Sequence, residues 1–423
     1  MNSSFALSVM IWIVLASSCQ AQLFEAAAGD WPWWRGPDFN GVADAKQQVP
    51  IEWSDTENVA WKVKVPGRGH SSPTVVGQRV LLATADEKAQ TQSILCFDRR
   101  TGESLWTREV NRGGFQKKIS PRNTHASSTV ACDGQRLFAA VSHHGSVHVN
   151  ALDLNGRPVW QREVGRFEER KYPNGHAASP VLYRDVVIIA ADCEAGGFLA
   201  ALNRRTGKIV WKTPRPPATN YASPIVARVA GRDQVLISGC NQVASYDPAS
   251  GELLWNSKAK WLQTSGTIVW EDDLVFASGG YPDSETVCIR ADGSGEAVWR
   301  NNQKCFEQSL LVRDGHLYAI NDGGIAFCCE ARTGTELWRK RLRGPISASP
   351  VFIGEKIYAS NELGTTFVYG ASPDGCELLA ENQLGSEAIA TPAICGGQIF
   401  LRVADNTRAG RQEWLYCIQG GSE

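Results

Sequence analysis

A short phrase returns along this chain at near-even spacing, and that recurrence limits the fold more than any compositional figure. Its clearest copies run from Cys96 to Trp106 and from Ala201 to Trp211, with Ser245 to Trp255 and Cys328 to Trp338 in the same pattern. Looser copies end at Trp160, Trp299 and Leu379, and Trp61 closes an isolated strand near the N-terminus. Counted from Trp61, the intervals are 45, 54, 51, 44, 44, 39 and 41 residues. Periods in this range, with strand-like text between the marks, belong to repeat arrays.

Each copy reads as strand, tight turn, strand. The turn is Asp or Asn, two variable residues, Thr or Ser, then Gly (Asp98 to Gly102, Asn203 to Gly207). The acidic or amide side chain bonds to backbone two residues on. Gly supplies the left-handed conformation that a side chain opposes. A Trp at the end of each phrase suits a gap between neighbouring sheets, and the small residue that opens it (Cys96, Ala201, Ser245, Cys328) leaves room for the ring. Upstream of each phrase stands a second hairpin, as at Ala131 to Phe138 and Val312 to Tyr318, with Asp-Gly between alternating apolar residues. Two hairpins per repeat make a four-stranded sheet, and such sheets repeated radially make a propeller.

The expected fold is all-β, an eight-bladed β-propeller of four-stranded antiparallel blades closed by N- and C-terminal strands. The last blade takes three strands from 392–418 and its outer strand from Asn58 to Val63, which ties the ends together and removes a free edge. The competing readings are an open solenoid or a sandwich. The predicted division is a signal peptide at 1–21, a Trp-rich N-terminal strap at 22–50 (Trp31, Trp33, Trp34) and the propeller at 51–423.

Composition then excludes some classes. A formal net charge of -1 gives no basic face for nucleic acid. The apolar stretch Phe5 to Ala16 is too short to span a bilayer, but is followed by small residues with cleavage expected after Ala21. No Lys or Arg precedes it. The text ending at Cys19 resembles a lipoprotein box displaced by one position, so a lipid anchor at Cys19 is the alternative. Of the twelve Cys, most lie in strand text, and the chain has no CxxC for a zinc ribbon or haem attachment. The adjacent pair Cys328 and Cys329 falls in a strand, where successive side chains point apart.

The repeated phrase resembles the tryptophan-docking repeat of the pyrroloquinoline-quinone (PQQ) propellers, over nearly the whole length from Trp53 to Ile418. The text from Asp30 to Pro37 and from Gly67 to Pro73 is similar to exported PQQ-like proteins common in planctomycete bacteria. That resemblance implies a relation both to cofactor-free BamB-like propellers and to quinoprotein alcohol and sugar dehydrogenases. The dehydrogenase branch would imply PQQ with calcium, a catalytic Asp and a vicinal disulfide, for which the chain offers no matching motif. Cys328 and Cys329 occupy a docking slot instead.

A second recurrence bears on function. Loops with related text lead into successive blades: Gly69 to Pro73, Arg122 to Ser128, Asn174 to Pro180 and Asn220 to Pro224. Each precedes the innermost strand of its blade, so His70, Asn123, His125, Asn174, His176, Asn220 and Tyr221 are expected at one rim of the channel. Three readings stay open: side chains that cap strand ends and satisfy backbone, a pocket for a polar ligand or peptide, and a metal held by three imidazoles. His143, His144 and His148 read as exposed histidines near a hairpin tip. No nucleophile elbow is present. The expectation is a non-catalytic binding or scaffold propeller of the cell envelope, exported to the periplasm, with an envelope protein or small polar ligand as partner and no cofactor. The alternative is a PQQ-dependent oxidoreductase.

Overall fold

In a computed structural model, which describes residues 26–408 and 410–420, the chain forms eight blades around a channel. The expected signal peptide and Cys19 lie outside the described residues. Blades 1 to 4 span 74–112, 131–166, 181–215 and 225–258; blades 5 to 7 span 269–301, 311–341 and 351–383. Blade 8 combines 393–418 with Val59–Val65, which pairs antiparallel with Gly410–Ile418 as its outer strand. The closure expected from the sequence is therefore present. A two-stranded ribbon, Trp261–Gln263 with Tyr281–Pro282, stands outside the blades and was not foreseen.

The docking phrase works between blades. Within a blade the small residue lies directly across from the Trp: Cys96 from Trp106, Ala201 from Trp211, Cys328 from Trp338. The ring then lies on the turn glycine of the next blade. A Cβ at Gly102 would come within 2.7 Å of the Trp61 ring, and one at Gly207 within 2.6 Å of the Trp160 ring. Trp61, Trp106, Trp160, Trp211, Trp299 and Trp338 donate their indole N–H to a carbonyl of the next blade's turn, at 2.8–3.1 Å. Trp255 differs, donating to Gln234 within its own blade at 2.8 Å.

Two details depart from the sequence reading. Every outer strand carries a β-bulge one residue before the docking position, so two residues there oppose one. The bulged residue turns outward, which is why Leu105, Val159, Val210, Val298 and Leu337 are exposed apolar side chains. In blade 7 the docking position is Ala380 rather than Leu379, and Trp53, from before the first blade, joins its core by stacking on Tyr358.

The described cysteines are free. Cys328 and Cys329 fall in different core clusters, on opposite faces of one strand. The N-terminal segment crosses the channel. Trp31 bridges Val75 of blade 1, the Pro32 carbonyl accepts from Cys132 of blade 2, and Val42–Ala43 adds a parallel fifth strand to the inner edge of blade 7. Arg35 is fully buried there and donates to the carbonyls of Asn40, Leu310 and Pro350 at 2.7–2.9 Å. Burial without a carboxylate pulls its pKa down to about 9, still charged at neutral pH.

Candidate functional site: a cup at the channel mouth

Two residues before each of the eight inner strands stands a Ser or Thr, and these hydroxyl groups hold the blades in register. Backbone N–H groups of Ser72, Thr129 and Ser179 each donate to the side-chain oxygen of the corresponding residue in the next blade: Thr129, Ser179 and Ser223. The pattern resumes with Thr267 to Ser309, Ser309 to Ser349, Ser349 to Thr391, and Thr391 back to Ser72, all at 2.9–3.1 Å. At Thr267 the hydroxyl accepts instead from the Trp34 indole of the N-terminal segment, at 2.7 Å. This ring satisfies polar backbone where the loops turn inward. It also marks the floor of what lies above.

Alternate residues of an extended strand share a face. Two positions before the ring stand Ser127, Ala177, Tyr221, Ser265, Ser347 and Ile389, and all six line one cavity of about 550 Å³ at the channel mouth. The N-terminal segment packs along the same inner strands from the far end, where Asp30 accepts the Gly77 N–H, to the ring, where it meets Thr267, Leu310 and Pro350. The channel is thus a cup, open at the mouth.

Of the seven rim residues read from the sequence, four line the cup: His70, Asn123, Asn174 and Tyr221. Three of these are wired together. The Asn123 amide donates to the Asn174 carbonyl and accepts from Ser127 at 2.6 Å; the Asn174 amide donates to the Tyr221 hydroxyl at 2.7 Å; that hydroxyl donates to the Tyr172 carbonyl at 3.1 Å. The chain crosses blades 2, 3 and 4 and makes that wall rigid. Burial, with Arg68, Arg402 and Arg411 nearby, pulls the His70 pKa down to about 3, so this imidazole is neutral at ordinary pH. Its Nε2 is buried without a hydrogen-bond partner.

The other three point elsewhere. The His125 ring stacks on Phe115 at 4.1 Å. His176 is buried, with Nε2 2.9 Å from the Ala190 carbonyl. Asn220 is buried between blades; it accepts from the Thr264 N–H and donates to Asp192 and the Ser238 carbonyl. The three imidazoles expected to converge do not, and among the described residues no group of three or more His, Cys, Asp or Glu is placed to hold a metal. His143, at the blade 2 hairpin tip, stacks its ring on His148 at 3.8 Å.

The opposite wall, from blades 6 and 7, was not foreseen. It carries Lys304, Phe306, Glu307, Asp322 and Glu362. Lys304 pairs with Asp322 at 3.1 Å. Arg122, from the loop before blade 2, reaches across the mouth to Glu362 at 2.8 Å and lies 3.9 Å from Glu307. Ser347 also donates to Glu362, at 2.6 Å. Burial raises the Glu307 pKa, and the neighbouring carboxylates Glu362 and Asp322 add to it against Ser347 and Arg122. Two signals for this wall stand in the sequence: Ala348-Ser349-Pro350 repeats the text of 178–180 and 222–224, and Asp322 and Glu362 hold the same place in the turns 321–324 and 361–364.

A family model described as outer membrane protein assembly factor BamB matches residues 42–171, 90–302 and 263–370. The chain belongs to this family of PQQ-like propellers. Among curated relatives, BamB of Burkholderia pseudomallei is 24% identical over 340 residues, covering 73% of this chain and 85% of the relative. A tetrathionate hydrolase of Acidithiobacillus ferrooxidans is 22% identical, covering 72% of this chain and 65% of that protein. Among solved structures, a europium-containing methanol dehydrogenase is 10% identical with a TM-score of 0.64, covering 93% of this chain and 98% of that one. That likeness is one of fold.

The fold raises the question of PQQ, a quinone bearing three carboxylates. The cup offers that polyanion little free positive charge of its own. Its lining carries three carboxylates and two cations, and both cations are already engaged by acids. A polyanion without a metal ion would meet surplus negative charge there.

Proposed function

We propose that this protein is a non-catalytic binding propeller of the cell envelope that takes a small polar ligand or a segment of a partner protein in the cup. The observation that carries this reading is the cup itself. It is about 550 Å³, within the range of ligand sites, lined by loops from most of the blades and braced by hydrogen bonds between them. Its rim amides are spent on holding one another, which suits a preformed recognition surface. The family name points to outer-membrane protein assembly as the setting. Export to the periplasm rests on the N-terminal sequence, with Cys19 as the candidate lipid anchor.

The test fills the cup. Ala177→Trp should leave thermal unfolding close to that of the parent while abolishing recovery of the partner from envelope extracts. Equal recovery by the parent and the filled variant would overturn the reading. On the same reading, PQQ with calcium produces no thermal shift. A saturable shift, with dye reduction by alcohols or sugars, would favour the quinone-dependent oxidoreductase instead.

A further inference from the structure

Resting on that reading, we infer that the cup recognises an organic cation, a guanidinium or primary ammonium group, and that Arg122 is the chain's own stand-in for it. Three observations point the same way. First, the cup lining is short of positive charge: Glu307, Asp322 and Glu362 face Arg122 and Lys304. Second, the two cations are held differently. Lys304 belongs to the same wall as its partner Asp322, whose carboxylate is further fixed by the Phe306 N–H at 2.8 Å and the Gln308 amide at 3.1 Å. Arg122 comes from the loop before blade 2 and crosses the mouth to reach blades 6 and 7. Its side chain is 67% exposed, whereas that of Glu362 is 19% exposed. An ion pair exposed on one side contributes little and is screened by salt. Third, Glu362 has a partner besides Arg122. Glu362 is oriented by Ser347, at 2.6 Å, and Glu307 stands beside it on the half-buried wall.

When Arg122 swings out, two carboxylates remain, oriented, partly desolvated and facing a cavity with Phe306 at its side. Planar guanidinium matches paired carboxylates in geometry, and the aromatic face adds a cation–π contact. A ligand cation therefore replaces an existing interaction of the same chemistry, in competition with Arg122. The cation can be a free amine or a basic side chain of a partner protein.

The experiment is calorimetric titration of the purified protein at low ionic strength with agmatine, with an acetylated and amidated Arg-Gly dipeptide, and with citrate as the anionic control. Agmatine should bind with saturation and weaken as salt rises, while citrate should show no saturable binding. Arg122→Ala removes the internal competitor and should tighten binding about tenfold if the latch is closed nine-tenths of the time. Glu307→Gln with Glu362→Gln should weaken it by tenfold or more, with unfolding temperature monitored so that loss of fold is recognised. A dipeptide that binds as tightly as agmatine assigns the cation to a protein segment. Agmatine binding without dipeptide binding assigns it to a small amine.

The inference is overturned if agmatine does not bind, if Arg122→Ala leaves its affinity unchanged, or if the doubly amidated variant binds it as the parent does. These outcomes are separable from failure of the binding reading. A filled cup that loses its envelope partner while agmatine never binds leaves the cup a recognition site for something other than a cation.

Discussion

At the scale of single residues, a buried ion pair braces blade 3 from within. Arg215 grips Asp192 through two hydrogen bonds, at 2.7 and 3.0 Å, and both side chains are buried. The carboxylate and its hydrogen bonds raise the Arg215 pKa against the burial that lowers it. Asp192→Ala leaves that guanidinium without its carboxylate and removes one of the hydrogen bonds of Asn220, so it should cost about 3–5 kcal/mol in denaturant unfolding. Glu169 offers a test of sign. Burial, reinforced by Glu194, raises its carboxyl pKa to about 8, although it accepts the Gly175 N–H at 2.5 Å. Between the unfolded carboxyl value and about 8, the folded state holds a proton that the unfolded chain has shed. Stability therefore falls as pH rises through that window. Glu169→Gln keeps an acceptor for Gly175 and should show a Tm advantage that grows from pH 5 to pH 8. A constant difference across that range would contradict the burial argument.

At the scale of the element, the docking turn was legible because its chemistry is local. The Asp or Asn bond into the turn and the left-handed Gly follow from three or four adjacent residues. The bulge before each Trp was not legible, because it is a register relation between two strands. Gly207 has φ +69°, and its Cβ position meets the Trp160 ring of the preceding blade. Gly134 has φ +80°, and nothing lies within 4 Å of its Cβ position. Alanine at either costs roughly 1–2 kcal/mol for the left-handed backbone. Gly207→Ala should cost measurably more in chemical unfolding, the excess being the displaced ring. Equal losses would mean that the indole does not need the glycine.

At the scale of the molecule, the N-terminal segment turns a channel into a cup. It does so through Arg35, whose guanidinium satisfies carbonyls at the starts of blades 6 and 7 and in its own loop. Arg35→Ala leaves three acceptors in a buried place, at about 1–3 kcal/mol each if water does not enter. Limited proteolysis should then cut between residues 26 and 43 before the blades, whereas the parent should resist there. The candidate site lives at this same scale. The loops before blades 1 to 4 announce themselves by shared text, so His70, Asn123, Asn174 and Tyr221 could be placed at the mouth before any coordinates. The acidic side chains themselves lie outside that shared text and are brought opposite those residues only by ring closure.

By itself, then, the sequence determined the number of blades, the place of the seven docking indoles and the strand that closes the ring, because these depend on periodicity and on contacts between adjacent repeats. Tertiary structure decided which way each rim side chain turns. It sent His125 and His176 into packing and Asn220 into a clamp on Asp192, and it carried Arg122 across the mouth to Glu362. Orientation at the hub depends on residues as far apart as 240 positions, and no local pattern encodes which of two neighbouring groups will claim a side chain.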